Sequence, residues 1–404
     1  MRNAMRGCTV AALIVGASGA SAGGLWLNEY GDLAGGRAAA GAAAGVDEAM
    51  TLAYNPASIA RLEGNQLFAS AGAIVSEMNF DTNYTTRLSG TVNGGDAGVV
   101  TPFASAAYVH DFNSDRWSAG IGLVPLAGAG IEYDDDWVGR FQATDVTLTL
   151  MALTPTLAYQ VTDELSVGVT LQAYYADLEV KTRVPSLRPN QPEGRAKIDG
   201  DDVDVGFTLG ALYELSDRTR FGLFYQSELE PSYDGDLETT PRNLQVATTT
   251  KLTFAEYVRF GVHQDMDERW GVDFTVGWDN WSALADVPVD AEFGGVGIPT
   301  KWEDTYHVAW GTQYKLDSYW TLTGGIAYDS NPVDAEYRNA QLPVDRQTRY
   351  AAGARYAITD TLSVGGYANY ADLGKARITA QRFGGDFDDA NSALQLIANV
   401  NWTF

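Results

Sequence analysis

Six basic residues, Arg140, Lys181, Arg183, Arg259, Arg349 and Arg355, have the chemistry to hold a carboxylate through a charge-assisted hydrogen bond. The competing use for the lumen-parity ones among them is an ion pair with a neighbouring acid such as Asp204, Asp273 or Asp279. Catalysis has thinner material. The histidines are His110, His263 and His307, with no Ser/His/Asp spacing and no cluster at metal-ligand spacing. The sequence thus points away from an enzyme and asks for no cofactor and no metal. Acidic runs at Asp134 to Asp136, Asp199 to Asp204 and Asp386 to Asp389 offer oxygens to Ca²⁺, but none has the helix-loop-helix calcium pattern, and solvated loops are the plainer reading.

Those side chains need a scaffold, and the amino terminus restricts which kind. Arg2 and Arg6, the apolar stretch Val10 to Val15 and the small residues Ala20-Ser21-Ala22 read as a signal peptide over 1–22. The sole cysteine, Cys8, falls inside it, so the exported chain has no disulfide framework. Without Arg2 and Arg6 the 27 basic residues become 25 against 52 acidic ones, a net charge of −27 that excludes nucleic acid as a partner. Such a chain suits an envelope surface whose lipopolysaccharide is bridged by divalent cations. No later segment has 18 consecutive apolar residues, so there is no transmembrane helix. A form embedded in lipid must be a closed β-barrel, where every backbone group finds a partner.

Period-2 alternation supplies that barrel from Gly64 onward. Strands are predicted at 64–76, 102–112, 116–124, 145–160, 165–179, 203–214, 218–229, 250–265, 269–281, 305–316, 319–330, 347–358, 362–374 and 391–404, an even count of fourteen. Very short connectors (Asn113-Ser114-Asp115, Thr162-Asp163-Glu164, Ser216-Asp217, Met266-Asp267-Glu268, Asp317-Ser318, Thr359-Asp360) alternate strictly with long ones. Short periplasmic turns and long external loops produce that alternation. Trp117, Trp270, Trp320, Trp402, Tyr225 and Tyr328 sit at strand ends, as an interfacial girdle requires. Arg220, Arg259, Lys315, Arg349 and Arg355 fall on the lumen parity. Glu256 shares parity with apolar Phe254 and Val258, which calls for a rim position or a bulge. The last strand carries Leu394, Leu396, Ala398, Val400, Trp402 and Phe404 on one face.

Residues 23–63 have a different texture. Gly35 to Gly45 is nearly all Gly and Ala, and Asn55-Pro56 predicts a capped short helix through Ile59 and Leu62. Leu25, Trp26, Leu27, Met50, Leu52 and Tyr54 are wasted in a linker. The segment reads as a compact plug for a lumen wider than its own side chains fill. The domains are then 1–22, the plug at 23–63 and the barrel at 64–404.

Gly35-Gly36-Arg37-Ala38, Gly41, Asp47-Glu48-Ala49 and Asn55-Pro56-Ala57 resemble the hatch of the outer-membrane long-chain fatty acid transporter family, which includes aromatic-hydrocarbon channels. Gly122-Leu123-Val124-Pro125, Glu132-Tyr133 and Trp137-Val138-Gly139-Arg140-Phe141 extend the resemblance, as does Phe404, which is similar to the signal read by the barrel-assembly machinery. The resemblance implies a monomer of the cell outer membrane that passively takes up a long-chain fatty acid or another hydrophobic small molecule. It implies a lateral opening at a kink in the third strand, where Gly120, Gly122 and Pro125 weaken pairing, with gating by Asn55, Pro56 and Ala57. Leu123 to Ile131, including Leu126, is expected as an apolar external loop on which cargo lands. An aromatic-hydrocarbon channel and a general porin remain as alternatives.

Overall fold

Strands whose alternate residues are apolar roll into one antiparallel sheet that closes on itself. The computed structural model describes residues 24–86, 89–112, 116–186, 191–240, 244–291, 294–341, 343–380 and 382–404. The expected signal peptide at 1–22 and the turn Asn113-Ser114-Asp115 lie outside the described residues.

The wall starts with β1 (Gln66–Thr85), β2 (Val100–Asp111) and β3 (Trp117–Glu132). A fourth stave breaks at Thr154-Pro155 into β4 (Asp145–Leu153) and β5 (Thr156–Gln160). Next come β6 (Leu165–Val184), β7 (Gly194–Ser216) and β8 (Thr219–Gln226). A hairpin of β9 (Ser232–Thr240) and β10 (Leu244–Lys251) precedes the staves β11 (Tyr257–Asp265) and β12 (Trp270–Asp279). A second, β13 (Asp286–Ala291) with β14 (Val296–Pro299), precedes β15 (Thr305–Lys315) and β16 (Trp320–Asp329). The wall ends with β17 (Gln347–Ala357), β18 (Leu362–Asp372), the two-residue β19 (Ile378–Thr379) and β20 (Phe383–Thr403). Leaving out the two hairpins and β19, fourteen staves remain, each bonded to the next, and β20 closes on β1 from Gln66↔Thr403 to Thr85↔Phe383. With no open edge, every stave can lie in lipid.

Side chains fix the membrane zone. Near the short turns, Trp117–Tyr159, Trp270–Tyr314, Trp320–Tyr356 and Trp402–Phe404 pack with ring centroids 4.5 to 4.9 Å apart, forming the expected aromatic girdle. Outward residues of β6 are apolar at Val167, Val169, Leu171 and Tyr175, then become Asp177, Glu179 and Lys181 without a change of parity. β7 switches at the paired position, from Val203 to Asp201 (Tyr175↔Val203, Asp177↔Asp201). Beyond that line the inner face turns apolar, with Tyr174, Ala176, Leu178 and Val180 buried. The barrel leaves the bilayer there and continues as a water-facing wall around an apolar interior.

The eighth stave begins at Tyr257 instead of 250, because residues 244–251 belong to the β9–β10 hairpin. Glu256 therefore precedes the stave, accepting a 2.6 Å hydrogen bond from the Tyr225 hydroxyl, so the parity conflict disappears. The closing strand starts at Phe383, eight residues before the expected 391.

The hatch is four short 3-10 helices, Leu33–Arg37, Ala42–Ala44, Ala49–Ala53 and Pro56–Arg61. Its backbone approaches the wall closely. A Cβ added at Gly222, Gly261, Gly311 or Gly325 would collide with Ala43, Ala44, Ala40 or Arg37, so only glycine fits at those wall positions.

Candidate functional site

The seam between β2 and β3 is only half zipped. Their pairing runs from Asp111↔Ser118 to Ala106↔Leu123 and stops. On its other side β3 stays paired with β4, but the register slips from Pro125↔Met151 to Ala127↔Leu150, leaving Leu126 as an extra residue. Pro125 has no N–H to give a ladder, and a one-residue bulge bends a strand. The bulge also exchanges the faces. Ile121 and Leu123 point outward below it, whereas Ala127, Ala129 and Ile131 are buried above it. Leu123 to Ile131, expected as an external loop, is thus strand; Leu123 faces outward, and Val124, Leu126, Ala127, Ala129 and Ile131 are buried instead of waiting in solvent. Below the bulge, Thr154 and Gly122 exchange backbone hydrogen bonds (Thr154 N to Gly122 O, 2.8 Å; Gly122 N to Thr154 O, 3.3 Å) where the fourth stave breaks.

Between the separated strands lies a cavity of about 470 Å³. Val100, Pro102 and Phe103 line one side, Pro125, Ala127, Ala129 and Ile131 the other, and Leu148 and Leu150 the back. Charged lining residues are Glu132, Asp145 and Lys181. The hatch reaches this window through Leu27, whose N–H donates to Leu126 O at 2.9 Å, while Trp26 forms a bridge with Ala127. Trp26 Nε1 donates to Ala255 O at 2.9 Å, and its ring packs against Phe254, Tyr257 and Trp281. The first described hatch residues therefore take over, at the bulge, the partner role that β2 gives up. Sequence reasoning noticed Trp26 and Leu27 only as residues too apolar for a linker.

Asn55, Pro56 and Ala57 lie elsewhere on the wall. Asn55 Oδ1 accepts from Ala57 N (3.0 Å), and its Nδ2 donates to Ala43 O (2.7 Å) and to Ala211 O of β7 (3.0 Å). Gly168 of β6 leaves room for Pro56 and Ala57, and Gly210 of β7 for the Asn55 side chain. Leu52, from the preceding helix, is the hatch residue that meets Gly120 and Gly122 of β3. Asn55-Pro56-Ala57 thus dock onto β6 and β7, while the helix they begin also lies beside β3 and β5, and Leu52 and Trp26-Leu27 add further contacts with the bent strand.

All six basic candidates already have carboxylate partners. Arg259 pairs with Asp279 (2.8 Å), and Arg349 with hatch Glu29 (2.7 Å) and Asp329 (2.9 Å). Arg355 reaches Glu48 (3.5 Å), Arg140 binds Glu193 (2.7 Å), and Arg183 pairs with Asp135. Lys181 contacts Glu179 (2.8 Å) and, more loosely, Asp145 (3.6 Å); it alone of the six lines the window. His263 and His307 are held by Asp273 (2.9 Å) and Asp329 (2.8 Å). Among the described residues no group of three or more His, Cys, Asp or Glu is arranged to hold a metal ion. Within the hatch, burial and the neighbouring Glu48 carboxylate push Asp32 up to about 7, although its Oδ1 accepts from Tyr54 Oη at 2.7 Å.

A lipid-embedded barrel with an internal plug and an apolar window in its side has the build of an outer-membrane transport protein. Residues 13–404 match the family described as "Outer membrane protein transport protein (OMPP1/FadL/TodX)", and the chain belongs to that family. It is 25% identical over 424 residues to the long-chain fatty acid transport protein of Escherichia coli O6:H1, covering 94% of both chains. It is 27% identical over 404 residues to outer membrane protein P1 of Haemophilus influenzae, covering 88% of both. The fold superposes on a Pseudomonas aeruginosa FadL homologue with TM-score 0.85, at 19% identity, over 94% of this chain and 100% of that one. For the Ralstonia pickettii toluene transporter TbuX the TM-score is 0.72, at 17% identity, over 93% and 99%.

Proposed function

We propose that this protein takes up hydrophobic molecules, long-chain fatty acids foremost, and releases them sideways through the β2–β3 window into the membrane. The window itself is the observation that carries this reading: an apolar cavity of about 470 Å³ where two neighbouring staves lose their pairing. A sideways exit follows from solvation. Burial is worth about 0.8 kcal/mol per methylene, so carrying ~15 methylenes through the aqueous periplasm costs about 12 kcal/mol that a lipid route avoids. The window needs no energy source, only a shift of Trp26 and Leu27 away from Leu126 and Ala127. Lys181 supplies an ammonium for a carboxylate head by exchanging its loose contact with Asp145. Relatives named as long-chain fatty acid transport proteins support the fatty-acid reading.

The test is uptake of radiolabelled oleate and of toluene by a deletion host carrying each variant at equal outer-membrane level. Gly128 lines the window, and a Cβ there meets only Leu148 O, at 4.0 Å, so Gly128→Trp has room to fill the cavity. It should abolish most uptake, while Gly297→Trp, on the external β14 with open space around it, should not. Uptake indifferent to Gly128→Trp sinks the lateral route. Lys181→Gln separates the cargo classes: oleate uptake falls if the head group is read there, and toluene uptake is untouched. If only toluene enters, the protein is an aromatic-hydrocarbon channel.

A further inference from the structure

Beneath the hatch, near the short periplasmic turns, is a second and chemically opposite chamber of about 60 Å³. Arg37 and Asp47 of the hatch and Arg220, Asp265, Lys315 and Arg355 of the wall line it. Four cationic groups thus face two carboxylates, in a chain whose net charge is −25. Asp47 is engaged by Arg61, and Asp265 Oδ1 lies 3.4 Å from His263 Nε2. Arg355 reaches Glu48 of the hatch at 3.5 Å, and the other cations are less well served. Arg220 is buried, donates to the carbonyls of Ala44 (3.1 Å) and Gly45 (3.5 Å), and has no carboxylate at ion-pair distance among the described residues. Arg37 pairs with Asp273 through Nη1, but its buried Nε has no hydrogen-bond partner. Lys315 makes no ion pair among the described residues. Buried guanidinium groups without a full set of acceptors are costly, and an oxyanion is the ligand that completes them.

We propose that this chamber is a small-oxyanion site, for a phosphate or a carboxylate group, and that a bound anion ties the hatch to the wall from the periplasmic side. Its size admits a few waters or one such group and excludes an alkyl chain. Because lining residues come from both hatch and wall, each bond to the anion spans the joint that has to loosen when the plug moves. The site does not depend on which cargo the window passes.

Isothermal titration of the detergent-solubilised protein with sodium phosphate and with sodium acetate, against sodium chloride at equal ionic strength, tests it. Hydrogen exchange over residues 33–47 is followed alongside. Saturable binding and slowed exchange in that segment are expected with at least one of the two anions, and which anion acts identifies the source. Losing one charge-assisted bond should weaken binding by about tenfold or more in Arg220→Gln. Lys315→Gln, at an exposed position that tolerates change, should weaken it too, so the result does not depend on Arg220→Gln folding. Arg346→Gln, on the outer side, should bind as the parent does. No saturable binding of either anion, or binding unaltered in both Arg220→Gln and Lys315→Gln, overturns the proposal.

Discussion

Replacing Asn55 by alanine should loosen the hatch without dismantling the barrel. Asn55 is fully buried and makes three hydrogen bonds, to Ala57 N, Ala43 O and Ala211 O. The first is a helix cap, worth about 1 kcal/mol. The other two tie the hatch to itself and to β7, and leaving a buried group unsatisfied costs about 1–3 kcal/mol. Allowing for relaxation, the docked state should lose about 2–4 kcal/mol, which raises the open fraction of the segment by roughly 30- to 1,000-fold. Hydrogen exchange over residues 49–61 reads that ratio directly, with a peptide from β6 as internal control. Planar-bilayer recordings provide a second readout: the parent should show no large steady conductance, and Asn55→Ala should add brief openings. Exchange within about threefold of the parent would refute the docking role, and a large steady conductance in the parent would favour the general-porin alternative instead.

Hatch docking should also depend on pH through Asp32, which burial and Glu48 raise to about 7. A carboxyl whose docked pKa lies above its free value contributes stability that is complete below about pH 4 and lost as pH rises through about 7. Hatch exchange, corrected for the intrinsic rate, should therefore be faster at pH 8 than at pH 5, and Asp32→Asn should abolish the difference. Arg349→Ala strands Glu29 and Asp329 in the lumen and should cost about 3–5 kcal/mol in denaturant unfolding. Adding Glu29→Gln should return part of that loss; no recovery would mean that the pair is not what holds this end of the hatch.

The wall was legible because its signal is repetitive. Alternation in β12 or β18 survives an error of several residues at each end, and the short turns between staves punctuate it. Where one residue breaks the rhythm, pattern reading fails. Leu126 is the extra residue of a bulge, so residues above it change face, and a continuing strand looked like the end of one. The β9–β10 and β13–β14 hairpins were missed for another reason. They stand beyond the bilayer, where sequences such as Ser232–Thr240 need no apolar outer face, and only their cross-strand partners show them to be strands. The hatch was visible as a unit, but its contacts were not. Gly168 and Gly210, which receive Asn55-Pro56-Ala57, lie more than a hundred residues away, and no local pattern links them. Lumen ion pairs such as Arg349 with Glu29, 320 residues apart, are hidden for the same reason.

The seams of the wall are unequal in length, and this has a mechanical consequence. β1 and β20 share eighteen paired positions, β1 and β2 ten, and β2 and β3 only six. A load spread round a hoop strains its most compliant joint first. Fluctuations of barrel diameter, or a change of tension in the bilayer, should accordingly collect at the six-rung joint and leave the eighteen-rung one nearly still. The stave that completes the cylinder is thereby shielded from the movement that the proposed sideways release would require, and one joint can flex repeatedly without putting the closure of the whole cylinder at risk.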